Sequence, residues 1–220
     1  MKVTLLSEPQ HGVPLTQFFA ANPNIELVMN SADVVIDCQF FDLAEKYQNL
    51  QSFASKDTVL ITNTLTAPAT AVAHNVLGFK RVIGVPIVPS QLASQKLVEY
   101  SVPCQQEPED GDAELIKKLF VKDAEHIGDS VAGVFARTLS MIINEGAFAV
   151  MEGVATPADI DMAMKLGTNY PKGPLAWCDE IGAYVIVAIL EALQVEYGHE
   201  RYKIAPLLRL NAEAGKKFFY

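Results

Sequence analysis

Cysteine is scarce in this sequence, and positive charge is in deficit. The three cysteines, Cys38, Cys104 and Cys178, lie far apart and lack the close spacing of metal ligands, which predicts reduced thiols and no metal site. The 220-residue chain has a formal net charge of −9. Because an acidic surface repels phosphate backbones, this charge disfavours nucleic acid as a partner.

Long apolar runs are missing as well. Residues 1–6 form too short an apolar stretch for a signal peptide, and Glu8 follows soon after. The most apolar segment, residues 181–190, is far shorter than the roughly 20 residues that cross a bilayer. We therefore expect a cytoplasmic protein with no membrane partner. Half of the residues are hydrophobic, which suffices for the core of one large or two small domains.

The first half of the chain alternates short β-rich runs with helical stretches. Runs such as DVVIDC and TVLIT are apolar throughout, which is typical of strands buried on both faces of a parallel sheet. The expected strands are residues 3–6, 25–29, 33–38, 58–62, 81–85 and 124–127. The expected helices are residues 14–21, 41–53, 67–77 and 113–120. This alternation predicts an α/β fold with a reduced Rossmann-like parallel sheet over residues 1–128.

The hydrophobic spacing becomes helical after residue 128, which predicts an all-helical domain over residues 129–220. The expected helices are residues 132–153, 157–166, 181–197 and 204–215. Thr156, Pro157 and Asp159 form the pattern of a capping box at the start of the second of these helices. Glycines and prolines in residues 167–174 predict a tight turn after it.

The segment DIDMAMKLGTNYPKGP at residues 159–174 resembles the C-terminal domain of the 3-hydroxyacyl-CoA dehydrogenases, which carries the pattern DID-x-AM-x-x-G-x-N-x-P-x-GP. Weaker matches precede it, since TNT at residues 62–64 is similar to the family's TNTSS and LVE at residues 97–99 to its LVE. The resemblance implies a role in fatty acid metabolism, NAD as the cofactor of an active protein, an acyl-CoA ligand and a homodimer formed through the C-terminal helices.

The reaction of that family requires a base that takes the hydroxyl proton, and a histidine held by a carboxylate is the usual solution. The family takes the histidine from an HFFNP motif and the carboxylate from LVE. Here the resemblance keeps Glu99 as the catalytic carboxylate. The histidine position falls on Pro86, or on Val85 if a one-residue gap is moved, and neither side chain accepts a proton.

A substrate cleft is also implied, at the strand ends and at the turn between the C-terminal helices. The implied substrate-binding residues are Asn63, Thr64, Thr66, Asn169 and Pro171. The alternative interpretation of the last two is that they only shape a corner between helices. The family's first TNTSS serine corresponds here to Leu65, which has no hydroxyl group.

The cofactor site is reduced. A G-x-G-x-x-G loop lets the backbone approach a pyrophosphate, but SEPQHG stands at residues 7–12. Glu8 in this segment would repel a phosphate unless it points away. The candidate cofactor contacts are His11 and Gly12, in the predicted loop, and Lys46, which fits a family lysine near the cofactor. We expect NAD binding to be weak or absent.

Three functions follow from these patterns. The first is a non-catalytic relative that keeps the fold and the dimer surface and binds an acyl-CoA or pairs with another enzyme subunit. The second is an active NAD-dependent dehydrogenase with a relocated base, for which His11 is the candidate among His11, His74, His126 and His199. The third is a ligand-free structural or regulatory homodimer.

Overall fold

A computed structural model describes residues 1–198 and 200–219 of the chain. Of the four histidines, His199 therefore lies outside the described residues. The chain divides into two compact units, Met1–Gly133 and Val134–Tyr220. The predicted division after residue 128 falls in the segment that leads into the second unit.

The first unit is built on a parallel sheet of five strands. In chain order these strands are β1 (Lys2–Leu6), β2 (Glu26–Leu27), β3 (Val34–Asp37), β4 (Val59–Asn63) and β5 (Arg81–Val85). Their order across the sheet is β2-β1-β3-β4-β5. The chain thus adds β2 on one side of β1 and the later strands on the other, so the order reverses between β1 and β3. The predicted Rossmann-like parallel sheet is confirmed.

Two further strands extend this unit. β6 (Leu97–Tyr100) and β7 (Asp123–His126) pair in parallel, and an antiparallel bridge between Gly84 and Ser101 connects the end of β5 to the end of β6. β7 corresponds to the predicted last strand. β6 is not among the predicted strands, because four residues among polar neighbours give too short an alternation to be distinctive.

Four helices cover the sheet of the first unit. They are α1 (Pro9–Ala20), α2 (Leu43–Phe53), α3 (Ala69–Asn75) and α4 (Asp110–Phe120). The predicted start of α1 at residue 14 is wrong. Pro9 occupies the first turn, where its fixed φ favours a helix, and Pro14 is tolerated inside because Leu15 and Phe19 are buried against the sheet.

The second unit is helical, as predicted. Its helices are α5 (Phe135–Met151), α6 (Pro157–Gly167), α7 (Pro174–Ile181), α8 (Ala183–Tyr197) and α9 (Pro206–Ala214). The capping box at the start of α6 is confirmed, since Thr156 Oγ1 accepts the Asp159 amide at 3.3 Å and the Asp159 carboxylate accepts the Thr156 hydroxyl. Sequence analysis missed α7. Gly182, with φ of +100°, separates it from α8.

Both faces of the sheet are buried. Residues of β1, β3, β4 and β5 that point to one face pack against α1 and α4, and those that point to the other face pack against α2 and α3. Ile36 and Val35, neighbours in β3, show this alternation, because they belong to the two different clusters and both are at most 1% exposed. None of the described helices is long and apolar enough to cross a membrane.

Candidate functional site

The carboxyl ends of β3, β4 and β5 meet at one edge of the sheet, where Asn63 ties their loops together. Its amide nitrogen donates to the carbonyls of Cys38 (3.3 Å) and Ile87 (3.0 Å). Its amide oxygen accepts from the backbone N–H groups of Leu65 and Ile87. The side chain is fully buried and has no hydrogen-bonding capacity to spare. Asn63, a predicted substrate contact, therefore acts here as a structural clamp.

The two predicted threonines lie at the same edge. Thr64 is buried, and a Cβ atom added to Gly84 would lie only 2.6 Å from its methyl group. Its carbonyl accepts the Ala132 amide at 2.7 Å. The partly exposed Thr66 donates its hydroxyl to the Phe40 carbonyl. The structure thus brings Asn63, Thr64 and Thr66 together, with two of the three side chains enclosed by the fold.

Glu99 lies beside Pro86. The antiparallel bridge between Gly84 and Ser101 sets a register in which the residue two positions after Gly84 faces the residue two positions before Ser101. A Cβ atom on Gly133 would lie 2.5 Å from Glu99 Oε2 and 2.7 Å from Pro86 Cγ. Both side chains therefore converge on one point, and a proline ring occupies the place beside the carboxylate where the family resemblance requires an imidazole.

Strand geometry separates His126 from Glu99. His126 pairs with Tyr100 across β6 and β7, and their rings are 5.3 Å apart. Because neighbouring residues of a strand point to opposite faces, His126 lies on the face away from Glu99. His74 is exposed at the last turn of α3.

His11 lies at the other side of the sheet. It is in the first turn of α1, not in a loop as predicted, and its ring stacks on Phe40 at 5.8 Å. In the sheet, β3 and β4 separate β1, which leads into α1, from β5, which bridges to the end of β6. Burial lowers the pKa of His11 below its usual value, and Glu8 offsets part of this effect. His11 thus lies beside Phe40, after β3, whereas Glu99 lies beside Pro86, after β5.

The Glu8 carboxylate points into the sheet edge, toward the loop after β3. Its Oε1 accepts the backbone N–H groups of Phe40 at 2.6 Å and Phe41 at 3.1 Å. Its Oε2 is buried and finds no hydrogen-bond partner among the described residues. The segment predicted as a dinucleotide loop is therefore the start of a helix with a carboxylate turned inward beside it. A Cβ atom added to Gly12 in this segment would be in van der Waals contact with Ser7 Oγ, at 3.4 Å.

Lys46, a predicted cofactor contact, is fully buried. Its ammonium forms an ion pair with Asp37 Oδ2 at 2.9 Å. It also donates to the carbonyls of Gln39 (3.0 Å) and Asn63 (2.6 Å). All three ammonium hydrogens are used inside the first unit. Asp37 completes the network by accepting the Thr62 hydroxyl at 2.8 Å.

The side chains of Glu8 and Lys46 decide how well the first unit suits a dinucleotide. A pyrophosphate needs free amides at the start of α1 and neighbouring positive charge. Glu8 contributes a negative charge at that position, and Lys46 offers no free donor. The residues present therefore do not fit NAD in the arrangement that the structure shows.

In the second unit, the motif at residues 159–174 forms a corner built around Asp161. This buried carboxylate accepts the first-turn amides of α7, from Leu175 at 2.8 Å and Ala176 at 2.9 Å. Asn169 adopts φ of +56°, a conformation that asparagine tolerates better than most residues. Asn169 and Pro171 are both exposed. The structure thus assigns the corner a structural role and leaves its two predicted substrate residues at the surface.

Asp129 has a structural role that was not predicted from the sequence. Its carboxylate accepts the amides of Ala69 and Thr70 at the start of α3, together with the hydroxyls of Thr70 and Ser101. These bonds join the segment after β7 to α3 and β6. The sequence signal was only a carboxylate in a turn-rich segment, which does not reveal a partner about 60 positions away.

The cysteines are free thiols, as expected, with Cys38 and Cys178 buried and Cys104 exposed. Burial, with a contribution from nearby carboxylates, raises the pKa of Cys178 to about 12 and that of Cys38 well above its usual value. Both buried thiols are therefore protonated and unreactive near neutral pH. No cluster of metal ligands occurs among the residues that the structure describes.

The chain is similar to known dehydrogenases, most densely in its second unit. The family model of the 3-hydroxyacyl-CoA dehydrogenase C-terminal domain matches residues 134–217. The chain is 35% identical over 188 residues to a probable 3-hydroxybutyryl-CoA dehydrogenase of Bacillus subtilis, covering 84% of this chain and 65% of that protein. It is 50% identical over 86 residues to the 3-hydroxyadipyl-CoA dehydrogenase of Escherichia coli, covering 39% of this chain and 18% of that protein.

The fold has a close counterpart among solved structures. The (S)-3-hydroxybutyryl-CoA dehydrogenase of Ralstonia eutropha matches with a TM-score of 0.74 at 23% identity, covering 97% of this chain and 94% of that one. The two units define the class of proteins that combine a Rossmann-like sheet with a helical C-terminal domain. The chain belongs to the 3-hydroxyacyl-CoA dehydrogenase family. It spans 65% of the length of its 3-hydroxybutyryl-CoA dehydrogenase relatives from Bacillus subtilis and Clostridioides difficile.

Proposed function

We propose that this chain is a 3-hydroxyacyl-CoA dehydrogenase-like protein whose dehydrogenase activity is reduced or lost. The observation that carries the proposal is the proline ring of Pro86 beside Glu99. Hydride can leave a 3-hydroxyl carbon only if a base takes the hydroxyl proton, and a proline ring within the chain has no atom that can do so. Glu99 remains, but the imidazole that it would orient is replaced.

The cofactor side of the first unit supports the same proposal. The inward Glu8 carboxylate opposes a pyrophosphate, and Lys46 is committed to Asp37. Losses at both the proton acceptor and the dinucleotide position favour this proposal over an active enzyme with a relocated base, because a new base alone would not restore cofactor binding.

A direct assay tests the proposal. Purified protein mixed with NAD and 3-hydroxybutyryl-CoA is expected to form no NADH above background, and titration calorimetry with NAD at millimolar concentration is expected to show no heat. The relative from Bacillus subtilis, assayed in parallel, is the positive control. Appreciable turnover would contradict the proposal, and its loss in Glu99→Gln would then identify this same edge of the sheet as an active site.

Acyl-CoA binding without oxidation is the second candidate function, since the exposed Asn169 and Pro171 leave the α6–α7 corner open to a ligand. Pairing with another enzyme subunit is the alternative use of the same surface. Titration calorimetry with acetoacetyl-CoA separates these two functions. Binding heat in the wild type that is lost in Asn169→Ala would support ligand binding. An absence of heat in the wild type would instead favour a protein partner or a ligand-free dimer.

We also propose that α6 forms a homodimer contact. Among its residues only Asp161 is buried, while Met162 is 58% and Leu166 81% exposed. Asp159 and Lys165 lie at equal sequence distances on either side of Met162. Two copies that meet antiparallel on this helix about a two-fold axis would therefore place opposite charges across from each other.

The substitution Leu166→Glu is expected to convert a dimer into monomers, because it places a charge in an apolar contact. Sedimentation velocity measures the change. Val195→Glu, at an 86% exposed position of α8, is the matched control and should leave the dimer intact. A wild-type protein that sediments as a monomer at all concentrations would refute the dimer.

A further inference from the structure

Two consecutive backbone amides after β3 converge on a single oxygen atom. The N–H groups of Phe40 and Phe41 both donate to Glu8 Oε1, at 2.6 Å and 3.1 Å. Successive amides that point toward one position form a concave site for an anion. The anion found there belongs to the chain itself and comes from a residue more than thirty positions earlier in the sequence.

The place of this site in the sheet is informative. Glu8 follows β1, the two amides follow β3, and the strand order reverses between these two strands. In open parallel sheets, ligands bind in the crevice beyond the carboxyl ends of the strands at such a reversal. The Glu8 side chain therefore lies across the crevice in which a phosphorylated ligand would be expected.

The Glu8 carboxylate has hydrogen-bond partners at only one of its two oxygens among the described residues. Oε1 receives two hydrogen bonds, but Oε2 is buried and has no partner among the described residues. A buried carboxylate oxygen without a partner is unfavourable. Glu8 as a whole is only partly buried, so its side chain has a route to solvent. Because the side chain is not enclosed, its removal would leave the two amides accessible to another anion.

We propose that the Glu8 carboxylate is an internal occupant of an anion site formed by the amides of Phe40 and Phe41, and that this site accepts a phosphoryl group once the carboxylate is removed. The proposal deepens the proposed function, since it gives a physical cause for the expected loss of dinucleotide binding. It predicts that occupancy of the two amides, more than repulsion between like charges, blocks the site.

Two substitutions separate occupancy from repulsion. Glu8→Ala vacates the amides, and its dissociation constants for inorganic phosphate and for ADP are expected to be at least about tenfold lower than those of the wild type. Glu8→Gln removes the charge but keeps an oxygen that can accept both amides, so it should remain close to the wild type. Phosphate tests the anion site alone, and ADP tests whether the crevice also admits a nucleotide.

Equal gains in Glu8→Ala and Glu8→Gln would overturn the proposal, because charge alone would then explain the block. No gain in either variant would overturn it as well. If Glu8→Ala fails to fold, amide NMR shifts decide. In Glu8→Gln the shifts of Phe40 and Phe41 should differ from the wild type, and in the wild type they should not respond to phosphate. A response of the wild-type amides at submillimolar phosphate would refute internal occupancy.

The anion site at Glu8 and the loss of dehydrogenase activity can fail independently of each other. Wild-type protein that binds NAD but does not turn it over would overturn the role of Glu8 and leave the proposed loss of activity standing. Phosphate binding gained in Glu8→Ala, in a protein whose wild type has dehydrogenase activity, would support the anion site and overturn the proposed loss of activity.

Discussion

Replacing Lys46 by methionine is expected to destabilise the first unit by about 3–5 kcal/mol. Methionine has a similar length and fits the space of the lysine stem, so packing changes little. The loss comes from Asp37, whose carboxylate is fully buried and would keep only the Thr62 hydroxyl and the Gln39 amide as partners. An uncompensated charge in the interior is among the most destabilising single changes.

A double-mutant cycle separates the charge from the packing. Asp37→Asn alone leaves a buried ammonium without its carboxylate and should also be strongly destabilising, whereas Asp37→Asn combined with Lys46→Met should recover most of the loss. Lys56→Met, at an exposed position of the same unit, is the control and should have little effect.

Hydrogen exchange of peptides from β3 and β4 measures the loss of stability in Lys46→Met, because Asp37 of β3 and Asn63 of β4 both contact the Lys46 ammonium. If Lys46→Met exchanged like the wild type, the ion pair would be too weak to matter for stability. Lys46 would then again be a candidate for a ligand contact.

The alternation of strands and helices could be predicted from sequence because it depends on local patterns. The β3 run is apolar at successive positions, and both faces of that strand are indeed buried. The capping box at Thr156 could be predicted for the same reason, since all of its atoms lie within four residues. Local periodicity and capping chemistry need no knowledge of distant contacts.

The roles of the charged residues could not be predicted in this way. Lys46 is a predicted cofactor contact, yet its partners are Asp37 and the carbonyl of Asn63. Glu8 was expected to repel a phosphate unless turned away, and the direction in which it turns depends on amides that follow another strand. Such partners are set by the strand order of the sheet, which the hydrophobic pattern leaves open.

The family motif shows how a resemblance can be specific for structure without being specific for function. The match at residues 159–174 contains residues that position α6 against α7, such as Asp161 and Gly173. These residues are needed for the helical fold whether or not the sheet unit carries out chemistry. The dense part of the resemblance therefore supports the fold, and the assignment of activity depends on the edge where Pro86 and Glu99 meet.

Gly173 offers the sharpest test of that structural interpretation. A Cβ atom at this position would overlap with Cβ and Cγ of Asp161. The overlap involves the base of the side chain, so Asp161 cannot avoid it by rotating its end. Gly173→Ala is expected to displace the carboxylate from the amides of Leu175 and Ala176 and to destabilise the second unit by about 2–4 kcal/mol.

Urea denaturation followed by tryptophan fluorescence measures this effect, because Trp177, the one tryptophan of the chain, lies within α7 itself. Gly167→Ala is the matched control, since a Cβ there meets no atom within 4 Å, and it should not destabilise the unit. Asp161→Ala removes the obstructing side chain together with the two hydrogen bonds. Adding Gly173→Ala to Asp161→Ala should therefore cause little further loss, and fully additive effects would show that the glycine is required for another reason.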